Sequence, residues 1–248
     1  MGYTGGMNIA LRYVKGTKSG IWRDTMVRME GGGVNGLQQA FLLDWYFVDR
    51  TLLSDRKYYT TPDTDGALVQ TVTSGPVSTY PDIMLGYQRI IMAAKHYVYI
   101  ETPYFLPTEP VFLAMKSAAA AGVDVRVLVP ECCDARFVEW SSRSFLREAV
   151  EAGIHIGLYK PGFLHSKLMV SDDAVCTCGS TNLDFRSFEN NFEANAFFYS
   201  KSLAEDMRDV FLNDERESVS LASLHSHMHP GLWRRIFDSL TRLLSPLL

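Results

Sequence analysis

His165 and Lys167 stand two residues apart, Asp172 follows, and then come Gly179, Ser180 and Asn182. On an extended segment, an i, i+2 pair leaves the same face, so an imidazole and an ammonium would project together. A hydroxyl and an amide just downstream add uncharged donors. Such a set suits chemistry at a phosphodiester. The imidazole serves as nucleophile or proton carrier, the lysine as a fixed cation, and the neutral groups as donors for non-bridging oxygens. The H-x-K pattern occurs once in the chain.

Around it, the sequence alternates elements. A helix is expected from Gly32 to Asp49, with Val34, Leu37, Phe41, Leu42, Trp45 and Val48 on one stripe. A strand over Leu68–Ser74 and a helix over Tyr80–Lys95 come next, then a short apolar strand at Tyr97–Glu101 halted by Pro103. A helix over Glu109–Ala121 ends at Gly122. The order then repeats: strand Val123–Val129, helix Val138–Ala152, strand Ile154–Tyr159. Strands are expected near Lys167–Ser171, Ala174–Cys178 and Phe192–Tyr199, and helices over Lys201–Asn213 and Pro230–Leu244. This alternation predicts an α/β fold with a parallel or mixed sheet flanked by helices.

An internal echo bears on completeness. Gly5, Gly6, Asn8 and Arg12 recur as Gly179, Ser180, Asn182 and Arg186 at a constant offset of 174. At that offset the counterparts of His165, Lys167 and Asp172 fall before residue 1. The chain therefore reads as about one and a half copies of a duplicated unit. Residues 1–60 would be the remainder of the first half, and 61–248 the second. Coincidence between two Gly/Asn turns is the alternative.

Bulk properties bound the rest. At 248 residues, 47% hydrophobic, 21% charged and with a net charge of −4, the chain is an ordinary globular sequence with no general basic field. Non-specific nucleic-acid binding is not expected. Cys132–Cys133 and Cys176-x-Cys178 lack zinc-ligand spacing and read as small buried residues in a reducing compartment. No eighteen-residue apolar run is present, and the first residues lack the basic and apolar regions of a signal peptide.

The pattern H-x-K-x4-D-x6-G-S-x-N resembles the phospholipase D superfamily. Trp22 to Thr25, Leu43 to Trp45, Glu101 to Pro107, Gly122 to Arg126, Pro161 to His165, Asp184 to Ser187 and Asn191 to Glu193 resemble bacterial cardiolipin synthases across the whole chain. The resemblance implies phosphatidyl transfer: two phosphatidylglycerol molecules joined into cardiolipin, with release of glycerol. It implies a phosphohistidine intermediate, no metal or other cofactor, and two H-x-K motifs meeting in one site. The phosphatidylglycerol substrate and anionic membrane lipid are then the partners, with no nucleic acid. The parent enzyme is expected at the bacterial inner membrane with its catalytic domain on the cytoplasmic side, and the fragment alone soluble or peripheral. The first motif is lacking here, so the implied further partner is an amino-terminal part of the same protein. The chain alone is expected to be inactive. The alternative is a phosphodiesterase of the same superfamily that hydrolyses phospholipid or another phosphodiester.

By this resemblance His165 is a proton carrier in catalysis, Lys167 a phosphate ligand, and Ser180, Asn182 and Asn8 phosphate-side donors. Asp172 belongs to the motif, although a turn aspartate bonding backbone amides is its ordinary reading. Glu193, on an apolar strand, would orient a catalytic histidine, the absent one included; a structural pair with Arg186 is the competing reading. Tyr104 and Phe105 would line an access channel for lipid, or pack in the core. His225, His227 and His229 alternate along one segment as three imidazoles without a carboxylate, which favours a solvated loop over a metal site. In the last helix Trp233, Ile236, Phe237, Leu240, Leu243, Leu244 and Leu247 fall at helical spacing, with Arg234, Arg235 and Arg242 elsewhere. Such a stripe fits either packing onto the domain or an interfacial helix on anionic lipid.

Overall fold

The computed structural model describes residues 1–17, 20–61 and 66–247. The amino-terminal part contributes small elements: strand β1 (Gly2–Gly5), helix α1 (Arg12–Lys15), strands β2 (Trp22–Arg23) and β3 (Met26–Met29), and helix α2 (Val34–Asp49). Then follow β4 (Leu68–Ser74), α3 (Asp82–Ala93), β5 (Tyr97–Glu101), β6 (Phe105–Leu106), α4 (Glu109–Ala120), β7 (Asp124–Pro130), α5 (Arg136–Glu151) and β8 (His155–Tyr159). The remainder comprises β9 (Phe163–Leu164), β10 (Leu168–Ser171), β11 (Val175–Gly179), β12 (Leu183–Asp184), α6 (Phe185–Glu189) and β13 (Glu193–Tyr199). It closes with α7 (Lys201–Arg216), β14 (Ser218–Ser220), α8 (His225–Met228) and α9 (Leu232–Arg242).

Eight strands form one mixed sheet in the order β14-β8-β7-β5-β10-β11-β13-β4. The β5, β7 and β8 strands run parallel, as helical crossovers α4 and α5 require; the remaining pairs are antiparallel. Side chains alternate across this sheet. Val98, Ile100, Val125, Val127 and Met169 face a core made with Ile83, Tyr87, Phe112, Met115 and Phe145 of α3, α4 and α5. Tyr99, Leu128, Leu168, Val170 and Cys178 face the other side, against Ala204, Met207 and Phe211 of α7 and Val27 and Met29 of β3. The result is helices on both faces of a mixed sheet, as the alternation predicts.

Several elements depart from the sequence reading. The α2 stripe does not form a core face: Leu42 is buried, but Phe41, Trp45 and Val48 are exposed. Only the first turns rest on the sheet, where a Cβ on Gly36 would lie 2.5 Å from Thr71 Oγ1. The strand expected from Lys167 begins one residue later, at Leu168. His225 and His227 lie on the short helix α8 rather than on an extended segment, with the His225 and His229 rings 4.6 Å apart. The cysteines divide: Cys176 and Cys178 are buried, whereas Cys132 and Cys133 sit in the loop after β7, and all four are free.

Candidate active site

The parallel pairing of β9 with β2 continues into His165, whose N–H donates to the Arg23 carbonyl at 2.7 Å. Residues 165–167 then run extended into β10. His165 and Lys167 leave the same side and are both buried, at 8% and 4% exposure. Lys167 Nζ lies 2.9 Å from His165 Nδ1 and 3.1 Å from Nε2, and donates to the His165 carbonyl at 2.6 Å. Between them Ser166 points the other way and donates to Thr25 Oγ1 at 2.9 Å.

Asp24, just past β2, brings its Oδ2 to 2.8 Å from His165 Nδ1. Its other oxygen accepts the Thr25 N–H at 2.8 Å, which fixes the carboxylate. The Tyr13 hydroxyl sits 2.9 Å from the same Nδ1 and 3.2 Å from Asp24 Oδ2. The Trp22 ring packs on the imidazole at 4.9 Å between centroids, with the Arg12 guanidinium over the indole at 4.3 Å. Gly6 is required for this closeness: a Cβ there would lie 2.5 Å from Asp24 Oδ1 and 2.8 Å from the His165 carbonyl. The Gly5-Gly6 turn is therefore part of the His165 wall.

Burial holds the His165 imidazole below its ordinary range, and the Lys167 charge pushes the same way; Asp24 opposes both. The ring is thus neutral near pH 7; with Nδ1–H turned to Asp24, its Nε2 faces the Lys167 ammonium at 3.1 Å and is the nitrogen that can accept a proton. Burial also lowers Lys167 to about 8, against the opposing carboxylates of Asp24, Glu193 and Asp184.

The Gly179–Asn182 turn leaves the end of β11, the neighbour of β10 in the sheet. Gly179 passes so near β13 that a Cβ would lie 2.2 Å from Asn195 Oδ1. Buried Asn195 ties the turn down by accepting from the Thr181 N–H at 3.2 Å and donating to Tyr87 and Thr177. Ser180 donates to Glu193 and accepts the Ala194 N–H at 3.0 Å, so its hydroxyl is committed to β13. Asn182 is half-buried, with a buried Oδ1 that has no hydrogen-bond partner among the described residues. Glu193 is also held by Asn191 at 3.2 Å, and burial raises its carboxyl, as it does that of Asp184. The alternative ion pair with Arg186 does not form: Arg186 reaches Asn191 instead, at 3.3 Å.

Behind the histidine lies a second charged group. Arg23 bridges to Asp214 at 2.9 Å and also donates to the Asp24 carbonyl. Glu101 is 1% exposed, and burial, reinforced by Asp214, pushes its carboxyl up to about 8.

Three sequence candidates lie elsewhere, and a fourth borders the site. Asp172 is at the far end of β10, about 16 Å of extended chain from Lys167. Its carboxylate accepts the Lys95, His96 and Tyr97 N–H groups at 2.7, 3.0 and 2.8 Å, with a left-handed φ of 54°. It therefore fixes the turn and touches neither His165 nor Lys167. Phe105 is 1% exposed and packs on Phe112, which corrects its reading as a channel lining. Asn8 is exposed in the loop beyond Gly6. Tyr104 donates to Asp134 at 2.8 Å and lies 6.4 Å from Phe163, which neighbours His165.

The residues that the sequence reading missed are Asp24, Tyr13, Trp22 and Asn195. Only Trp22 to Thr25 carried a signal, as one of the segments resembling the synthases.

A mixed sheet between helices, with an H-x-K pair at its centre, defines a phospholipase D-like fold. The same architecture occurs in phosphatidylserine synthase from Haemophilus influenzae Rd KW20, with a TM-score of 0.71 at 14% identity over 99% of this chain and 68% of that one. It occurs also in Nuc, a phospholipase D family member from Salmonella typhimurium, with a TM-score of 0.54 at 19% identity over 62% of this chain and 98% of that one. A family model described as "Cardiolipin synthase, PLD-like domain" matches residues 87–215. A cardiolipin synthase of Clostridium perfringens (strain SM101 / Type A) is 37% identical over 99% of this chain and 53% of its own length. One from Listeria monocytogenes serotype 4a (strain HCC23) is 39% identical over all of this chain and 52% of its own. The chain thus belongs to the cardiolipin synthase family of phospholipase D-like proteins, and it spans about half the length of these relatives.

Proposed function

We propose that the chain is the carboxy-terminal part of a phosphatidyltransferase that joins two phosphatidylglycerol molecules into cardiolipin. One observation carries the reading. A carboxylate from the amino-terminal segment, Asp24, holds the imidazole of the later segment, His165. Each histidine would then be oriented by the other half. Glu193, buried beside Ser180 and Asn191, would orient the histidine of a preceding H-x-K motif.

In the first step the partner histidine attacks phosphorus. A P–N bond forms, the P–O bond to glycerol breaks, and His165 supplies the proton that glycerol takes. In the second step a hydroxyl of another phosphatidylglycerol attacks, His165 takes its proton, and the P–N bond breaks. The depressed imidazole suits proton acceptance, and a bound phosphate anion raises it again for donation. Lys167 and the Asn182 amide would hold the non-bridging oxygens. The parent enzyme would work at the inner membrane.

The test is phosphatidyl transfer from phosphatidylglycerol in mixed micelles, followed by mass spectrometry. It compares the chain with a version extended through a preceding half bearing its own H-x-K motif, each with and without His165→Ala. Cardiolipin from the extended protein alone supports the reading. Robust transfer by the 248-residue chain alone overturns the two-histidine account. Phosphatidic acid as product instead means hydrolysis.

A further inference from the structure

Helix α9 is mounted with its polar face inward. Its buried positions are Asp238 and Thr241, continued by Ser245 just beyond the helix. Asp238 is 0% exposed and pairs with Arg147 at 2.8 Å. The Thr241 carbonyl accepts from Ser141 at 2.8 Å, and Arg242 bonds Glu148 at 2.6 Å while covering the Phe145 ring. The helix is thus latched to α5 through ions and hydrogen bonds.

The opposite arc is apolar. At about 100° per residue, Trp233, Ile236, Phe237 and Leu240 fall within roughly 100° of one another, and Leu243 and Leu247 follow just beyond the end of the helix. All six are exposed, with Trp233 at 83%, Leu243 at 74% and Leu247 at 81%. Values this high mean that the side chains project outward rather than line a groove. A domain-packing helix would bury this arc; here the latch points it away from the protein.

We propose that the outward face of α9 is a membrane seat, lying in the interface of an anionic phospholipid bilayer. Three observations favour lipid over a protein partner. First, basic side chains accompany the face: Arg234 and Arg235 on α9, and Arg136 beside Phe137 at the start of α5. All three are exposed and make no ion pair among the described residues, as an anionic headgroup layer favours. Second, the helix is about 16 Å long against a hydrocarbon core of about 30 Å, so it lies in the surface rather than spanning. Third, the apolar face continues toward the site. Phe237 packs on Trp140 and Trp140 on Phe137, each at 5.2 Å, and the loop before α5 carries Asp134, the acceptor for Tyr104. The anionic-lipid part rests on the proposed phospholipid chemistry; the orientation of the helix does not.

The experiment uses the whole 248-residue chain with vesicles of phosphatidylglycerol or of phosphatidylcholine. Flotation measures binding, and quenching by brominated acyl chains reports the depth of tryptophan. The expected result is flotation with phosphatidylglycerol, quenching that is reduced in Trp233→Phe, and partitioning weakened more than about tenfold by Ile236→Glu with Leu240→Glu. Both substituted positions are exposed, so circular dichroism and melting should be unchanged. Binding indifferent to the double variant overturns the proposal, as does no binding at all. So does a concentration-dependent dimer that the double variant dissociates, which would assign the face to a second copy. Equal binding to phosphatidylcholine overturns the anionic part. His165→Ala should bind vesicles as wild type does, so a failed transfer assay leaves this result standing. Absence of vesicle binding by the unsubstituted chain, with transfer by the extended protein intact in micelles, would sink the seat alone.

Discussion

Asp24 and His165, 141 residues apart, meet at 2.8 Å between Oδ2 and Nδ1. The carboxylate selects the Nδ1–H tautomer and stabilises the imidazolium that forms during proton transfer. Asp24→Asn should therefore lower kcat of the completed enzyme by about 10²–10⁴ with little change in KM. In the isolated chain, NMR titration should place His165 below the ordinary imidazole range. Asp24→Asn removes the opposing charge and should lower it further, whereas Lys167→Met should raise it. An unshifted midpoint in both variants would contradict the geometry.

Lys167 illustrates a site held against stability. The folded state lowers its ammonium to about 8 through burial, so it binds that proton less tightly than the unfolded chain does. The cost is full below about pH 8 and fades as pH rises toward the ordinary lysine range. Lys167→Met should stabilise the fold by about 1–3 kcal/mol near neutrality in urea titrations. The same change should reduce transfer by at least about 10²-fold.

Glu101 acts in the opposite sense. Its folded carboxyl is raised to about 8 by burial and by Asp214, so it favours folding below its ordinary range and less as pH rises. Glu101→Gln keeps the shape and removes the titration. The melting temperature of the variant should gain on that of wild type steadily from pH 5 to pH 8. Parallel curves would mean that Glu101 is ionised and paired.

Asp172 should matter to folding and not to the chemistry. Its three backbone N–H bonds hold its carboxyl below the usual range, chiefly through the Tyr97 and Lys95 amides against the cost of burial. That stability is present above the ordinary aspartate range and is lost as pH falls through the depressed value. Asp172→Ala should cost about 2–4 kcal/mol. Asp172→Asn tolerates the left-handed backbone and should flatten the acid limb of the stability curve. In both variants the His165 resonances should stay in place.

Local order was legible wherever a residue's role depends on its neighbours in the chain. The β4 and β5 strands have the bounds that the sequence predicts, β4 from the alternation of Leu68–Ser74 and β5 from the short apolar run Tyr97–Glu101 that Pro103 halts. The pairing of His165 with Lys167 and the apolar period of α9 were legible for the same reason. Which face of α9 turns inward was not, since that depends on where Arg147 and Ser141 of another helix stand. The α2 stripe misled likewise, because apolar periodicity specifies a face without specifying what covers it. Asp24 stayed hidden because β2 meets β9 only in the folded chain. The sequence by itself determined the elements and the histidine–lysine pair. The tertiary structure decided the carboxylate that orients that histidine and the outward face of the last helix, because both depend on contacts between segments far apart in sequence.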